Sequence, residues 1–254
     1  MLEPLPGGMS RRQFTAATLG ALLTTRLLES LFACDAFADR IKPATAQWLK
    51  EVNQLCADVK GQTVKQVDWQ AQLEQLFTKI ELSEMVAAVD FDKVTKDVEF
   101  QEQGERSVAF EFPKIEGFAP AFGKQIFALK KGRSIVPHGH NNMCTAFYVL
   151  KGELRGRHYD RIEDTKTHMV VKPTIDRKFA PTETSTISDC KDNVHWFNTL
   201  SDTAFVFNLH VLDVTPGTKK PTERVYIDPA GEKLAGGLIR APLLKAEDAY
   251  RIYG

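Results

Sequence analysis

The stretch SIVPHGHNNMCTAFYVLKGEL, running from Ser134 to Leu154, decides how the rest of the chain is read. It sets His138 and His140 one residue apart, ahead of an apolar run and a glycine turn at Gly152. Residues i and i+2 of a strand point to one face, so the two imidazoles share a side. Pro137 carries no N–H, which predicts a strand start or a sheet edge there. Two imidazoles on an inward face need a third ligand to hold a metal well. Of the six histidines, His195 is the best placed: the turn Asp192-Asn193 feeds it into a second β-run, Val194-His195-Trp196-Phe197.

Outward from this stretch the pattern keeps a period of two. Short β-runs fall at Gln125–Leu129, Ala146–Leu150, Glu153–Tyr159, His168–Val171 and Ala204–Leu212, with Val108, Phe110 and Phe112 alternating before them. Turns at Lys131-Gly132, Lys151-Gly152, Asp192-Asn193 and Pro216-Gly217 separate them. Many short strands at this spacing predict an all-β sandwich or barrel. Upstream the period becomes helical. Trp48, Leu49, Val52, Leu55, Cys56 and Val59 form one stripe ended by Gly61; Trp69, Leu73, Leu76, Phe77 and Ile80 form another after Asp68, a predicted N-cap. A third short helix is expected near Ser83. These stripes read as packing surfaces. The turn-rich tail beyond Pro216 reads as an outer strap ending in a short helix at Ala246–Tyr250.

The histidine stretch resembles the first cupin motif, a glycine, then HxH, four residues, an acid, six residues and a glycine. Here five residues separate Gly132 from His138, His140 follows, Thr145 stands in the acid's place, and Gly152 closes the motif. The second cupin motif is matched at His195, with Cys190 and Asp192 in its proline and glycine places and Asn198 one residue early. The resemblance covers about residues 121–212. It implies a mainly β fold, a cupin-type double-stranded β-helix or jelly-roll barrel with an N-terminal helical cap. Among cupins without that acid, the text around His195 is similar to three-histidine thiol dioxygenases of the cysteine and aminothiol kind. That likeness implies ferrous iron, O2 and a small-molecule thiol substrate. Cys144 is one residue off the place of the family's cross-linked cysteine, so the cross-link is not carried over.

Ligand type alone leaves the metal open, because imidazole suits Fe2+, Mn2+, Ni2+, Cu2+ and Zn2+ alike. His138, His140 and His195 are the candidate ligands. Thr145, Tyr159 and His210 are the candidate catalytic residues. Asn208 and His210 face away from the apolar row Phe205, Phe207, Leu209 and Val211, which puts His210 in a pocket either as a base or as a hydrogen-bonded structural group. Arg157 and Tyr159 share one face of their strand and His158 takes the other, so only one set lines the pocket. His168 lies in a charged connection and is expected to be exposed.

Ser10-Arg11-Arg12-Gln13-Phe14, followed by a modest apolar run, resembles a twin-arginine export signal. It implies a partner in the twin-arginine machinery, folded export, and a periplasmic or secreted protein without stable membrane insertion. Ala36-Phe37-Ala38 supplies a cleavage site, and a lipoprotein at Cys34 is the weaker alternative. The expected organisation is a signal over 1–38, a helical cap over 39–99, the barrel over 100–216 and the strap over 217–254. Thirty-three basic against 33 acidic residues leave no surplus to neutralise phosphates, which argues against nucleic acid. Beyond Cys34 three cysteines remain and no CxxC, so neither a disulfide framework nor a thiolate zinc site is expected. Three function classes stay open: an oxygenase, a metal-dependent lyase, isomerase or hydrolase on the same histidines, and a non-catalytic ligand- or metal-binding protein.

Overall fold

The computed structural model describes residues 42–254; the expected export signal, its cleavage site and Cys34 lie outside the described residues. Among the described residues four helices come first: α1 (Pro43–Lys60), α2 (Gln66–Phe77), α3 (Leu82–Ala88) and α4 (Phe91–Thr95). Helix α1 ends at Gly61 as its stripe predicts. Helix α2 starts earlier than expected, with Lys65 as the flanking residue. Asp68 therefore sits in its first turn, where a carboxylate favours the helix's positive end, and does not cap it. None of the described helices is long and apolar enough to cross a membrane.

Strands follow as β1 (Arg106–Val108), β2 (Gly123–Lys130), β3 (Ser134–Asn141), β4 (Met143–Lys151), β5 (Leu154–Asp164) and β6 (His168–Phe179). After them come β7 (Thr184–Ile187), β8 (Val194–Thr199) and β9 (Thr203–Leu212). The last elements are β10 (Glu223–Tyr226), β11 (Glu232–Lys233), β12 (Ile239–Pro242) and helix α5 (Ala246–Tyr253). They form a five-stranded sheet in the order β1-β2-β9-β4-β7 and a seven-stranded sheet in the order β10-β3-β8-β5-β6-β12-β11. Strands β2 to β9 shuttle between the two sheets, so that β2-β9-β4-β7 faces β3-β8-β5-β6. All these pairings are antiparallel. That strand order is a jelly roll, the cupin-type double-stranded β-helix.

Three apolar clusters follow from the alternation. On β4, Cys144, Ala146, Tyr148 and Leu150 point outward and join the helices in the largest cluster, with Trp48, Trp69, Phe77 and Phe207. Phe147 and Val149 point inward, onto Phe127, Ile135, Phe179 and Phe197 between the sheets. A strand covered on both faces is apolar on both, which is why this run reads as continuously hydrophobic. A third cluster, with Tyr159, Val194, Ile227 and Ala241, lies on the far side of the seven-stranded sheet.

Three expectations are corrected here. Phe110 and Phe112 are not in a strand: β1 stops at Val108, and their rings pack edge-on against each other and near Phe207 instead of entering a ladder. Pro137 is neither a strand start nor an edge. It lies inside β3, flanked by β10 and β8, where the register to β8 shifts between Ile135 and His138. That bulge is what tolerates a residue with no N–H. The tail is not an outer strap: β10 extends the seven-stranded sheet beside β3, and β12 extends it beside β6.

Candidate metal centre

Strand β3 presents His138 and His140, and β8 presents His195 directly opposite His138 in the ladder. All three are buried. Each offers a nitrogen such that the three atoms lie within 4.8 Å of one another. Nε2 of His138 is 3.0 Å from Nε2 of His140. Nδ1 of His138 lies 2.8 Å from the Val136 carbonyl, which can only accept, so the proton sits on Nδ1 and the Nε2 lone pair faces the cluster.

Backbone clamps hold this arrangement. Asn193 donates from Nδ2 to the carbonyls of His140 (2.9 Å) and Ser188 (3.0 Å), and its Oδ1 accepts from the His140 N–H (3.3 Å). Arg161 Nη1 donates to the same His140 carbonyl at 3.2 Å. The turn between β3 and β4 is a single residue, Asn142, in the left-handed region at φ 57°. It sends β4 into the facing sheet and so brings Thr145 round to the histidines.

The residues fit a metal ion. Nδ1 of His140 and both ring nitrogens of His195 are buried without any hydrogen-bond partner. An orphaned buried polar atom costs about 1–3 kcal/mol, and a cation bound through one ring nitrogen of His195 relieves one of them. Burial is the main reason all three pKa values fall, that of His140 to about 3, with Arg224 lowering His138 and His140 further. The rings are therefore neutral at pH 7, the form in which imidazole ligates.

The cluster opens on a cavity of about 250 Å³ between the sheets. Phe127, Ile135, Phe147 and Leu212 supply its apolar wall; Gln125, Thr145, Asn208, His210 and Arg224 supply the polar one. Among the described residues no aspartate or glutamate lines it. Thr145 is beside the site, but its hydroxyl is engaged: it donates to the Leu209 carbonyl (2.8 Å) and accepts from Asn208 Nδ2 (2.9 Å). It contributes a small neutral wall. His210 lies on the lining, its ring over the bare backbone of Gly123, where a Cβ would come within 2.1 Å of Nε2. Burial and Arg224 lower its pKa as well.

Tyr159 is the correction. It sits in the outer cluster with Val194 and Ile227, beside a separate depression lined by Arg157, Trp196 and Tyr253. Its ladder partner is Val194, the outward neighbour of inward His195, so alternation turns it away from the metal cluster. His158 takes the inward face instead, with Nε2 3.0 Å from the Ser185 hydroxyl. His168 is half-buried, its Nδ1 beside the Thr165 hydroxyl at 3.0 Å. Arg224 is the site residue the sequence did not point to. It comes from β10, where it pairs with His140 of β3, some 80 residues earlier in the chain. A wider cleft of about 660 Å³, lined by Lys65, Arg161, Asp189 and Cys190, reaches His140 but neither other histidine.

No protein-family model matches the chain, and no curated protein matches it by sequence. Solved structures do. An 11S globulin, procruciferin from Brassica napus, is 11% identical over 37% of this chain and 21% of its own, with a TM-score of 0.29. A Klebsiella pneumoniae protein with a double-stranded β-helix domain is 10% identical over 47% and 87%, with a TM-score of 0.34. An oxalate oxidase in complex with glycolate is 18% identical over 38% and 44%, with a TM-score of 0.30. The chain thus spans about a fifth of the globulin and under half of the oxalate oxidase. At such values it is the strand order and register that establish the double-stranded β-helix.

Proposed function

We propose that the protein is a metal-dependent oxygenase, holding a divalent transition metal, ferrous iron foremost, at His138, His140 and His195 and oxidising a small molecule, a thiol first, with O2. The observation that carries this reading is the composition of the cavity: three neutral, converging imidazoles and, among the described residues, no carboxylate on the lining. A divalent ion bound there would keep its full charge and, as iron, would mediate the transfer of electrons from the substrate, which is oxidised, to O2, which is reduced. The protein's own residues do the rest. Phe127, Ile135 and Phe147, all buried, give the reacting space an apolar wall. Asn208, fixed by hydrogen bonds from Gln125 (3.1 Å) and to Thr145 (2.9 Å), orients the polar wall. The volume of about 250 Å³ limits the substrate to a small molecule.

One observation favours a second reading. His210 faces the cavity as a neutral imidazole and could take a proton, which a lyase, isomerase or hydrolase needs near its metal. The two separate on one experiment: metal analysis of the purified protein, then oxygen-electrode assays over a panel of small thiols with iron restored. Thiol-dependent oxygen uptake abolished by His195→Ala supports the oxygenase. Bound metal with no oxygen uptake on any thiol overturns it and leaves the second reading.

We further propose that the protein leaves the cytoplasm folded, on the strength of Ser10-Arg11-Arg12-Gln13-Phe14. With Arg11 and Arg12 both changed to lysine, the precursor should accumulate inside; normal export of that variant would end the proposal.

A further inference from the structure

The alternation that points His158 and His195 into the barrel turns Arg157, Tyr159 and Trp196 out on the far face of the seven-stranded sheet. Arg157 is the ladder partner of Trp196 on β8 and of Asp176 on β6. Its guanidinium carbon lies 4.3 Å from the centre of the Trp196 ring, and its Nε is 3.6 Å from Asp176 Oδ1. Tyr253, at the end of α5, sets its ring edge-on to Trp196, with centroids 5.1 Å apart and planes at 71°. These side chains line a depression of about 300 Å³ whose apolar wall includes Pro173, Ile175 and Ile239.

Two polar groups at this depression are left without partners. Tyr159 is 6% exposed, and its hydroxyl has no hydrogen-bond partner among the described residues, although Arg157 and Asp176 are near enough to act on its charge. Trp196 Nε1 is buried and unpartnered as well. Buried tyrosine O–H and tryptophan N–H groups ordinarily find an acceptor, so two orphans at one hollow mark a ligand position. Further capacity lies beside them. Asp176 accepts from Arg155 at 2.7 and 2.9 Å, one bond to each oxygen, which leaves lone pairs on both. Arg157 gives Nη1 to Asn198 Oδ1 at 2.7 Å and keeps other N–H groups.

Among the described residues the lining carries one cation, Arg157, and one anion, Asp176, already side by side, so no net charge draws an ion. Arg157 covers one face of Trp196 and the Tyr253 ring stands across it, which leaves no flat slot for a planar aromatic. The complementary ligand is neutral and puckered, apolar on one face and rich in hydroxyls at its edge.

We propose that this depression is a second binding site, separate from the metal cluster, and that it takes a neutral sugar ring. The C–H face of the ring lies on the aromatic and aliphatic wall. Its hydroxyls accept from Tyr159, Trp196 and Arg157 and donate to Asp176.

The test uses the full chain, titrated with the methyl β-glycosides of glucose, galactose and N-acetylglucosamine, and with phenol as the planar comparison. Trp48 and Trp69 are buried among the helices, so changes in tryptophan emission report Trp196; saturation-transfer NMR measures the variants on the same scale. At least one glycoside should saturate with a Kd of about 1–10 mM, the scale of a small neutral ligand. Trp196→Ala should weaken it at least about tenfold, and Tyr159→Phe, which keeps the ring and loses only the hydroxyl, severalfold. Should Trp196→Ala fail to fold, Tyr159→Phe decides alone. Metal content should be the same in Tyr159→Phe as in the wild type; its loss would overturn the separation of the two sites. No saturation by any glycoside up to about 50 mM overturns the proposal. So does binding that neither substitution weakens, because the sugar then sits elsewhere. Binding of phenol with every glycoside silent would overturn the sugar class.

Discussion

The barrel buries histidines at two places one strand apart, and the two places differ. His138, His140 and His195 meet ring to ring, with centroids 4.2–5.0 Å apart and nitrogens within 4.8 Å. His158, the ladder partner of His195 on β5, is equally buried but looks to the other end of the barrel, where it meets the Ser185 hydroxyl. It belongs to no group of three ligating side chains among the described residues. All four rings have lowered pKa values with burial as the first cause. Burial and neutrality therefore do not make a ligand. Convergence of lone pairs does, and it follows from the register that sets His195 opposite His138.

The largest expected effect tests that contrast directly. Alanine at His138, His140 or His195 should take bound metal, measured by mass spectrometry on purified protein, from stoichiometric to background. His158→Gln should leave it unchanged. If His158→Gln strips the metal as fully as His195→Ala does, the two places are one site and the contrast is broken.

Next in size is stability. A ligand present at about a thousand times its Kd stabilises the folded state by about 4 kcal/mol. For a folded region of this size that raises Tm by about 8–16 °C. Chelation should remove that gain from the wild type and from His158→Gln, and should move His195→Ala by little, because that variant has no gain to lose. Equal Tm drops in all three, measured by calorimetry, would mean that the stabilising ion sits elsewhere.

Much of this contrast was legible in the sequence, and what was not has physical reasons. The period-two spacing of His138 and His140 fixes their common face whatever the rest of the fold does. The face of β5 was open, because Arg157, His158 and Tyr159 put polar groups on both sides of it, and alternation alone does not say which side is inside. The structure decides for His158 through Val194 and His195 in the neighbouring strand. Arg224 was invisible because its place depends on pairing between β10 and β3, a contact across more than 80 residues with no local signature. The tail looked like a strap for the same reason: its strands are short and earn their place only by lying against β3 and β6. Phe110 and Phe112 misled because aromatic alternation also suits an irregular segment whose rings pack on a sheet face.

The smallest effect separates the two places by pH. The pKa of His158 is lowered to about 3, first by burial and then by Arg177 and Lys191, against an ordinary value of 6.5. Above pH 6.5 it is neutral in both folded and unfolded chains and contributes nothing to pH dependence. Below that, the unfolded chain binds a proton that the folded chain refuses, so stability falls as the pH drops from 6.5 towards 3. The limiting slope for one such group is about 1.4 kcal/mol per pH unit. Glutamine at 158 retains a side chain able to hydrogen-bond Ser185 but has no titration. Urea unfolding of the apoproteins from pH 6 to pH 5 should therefore show the wild type losing about 1 kcal/mol more than His158→Gln. The three converging histidines remain in both proteins, so their own acid sensitivity cancels in the difference. Parallel pH profiles would show that His158 gains its proton in the folded state too, which would make it a hydrated group at the barrel mouth and end its likeness in burial to the metal cluster.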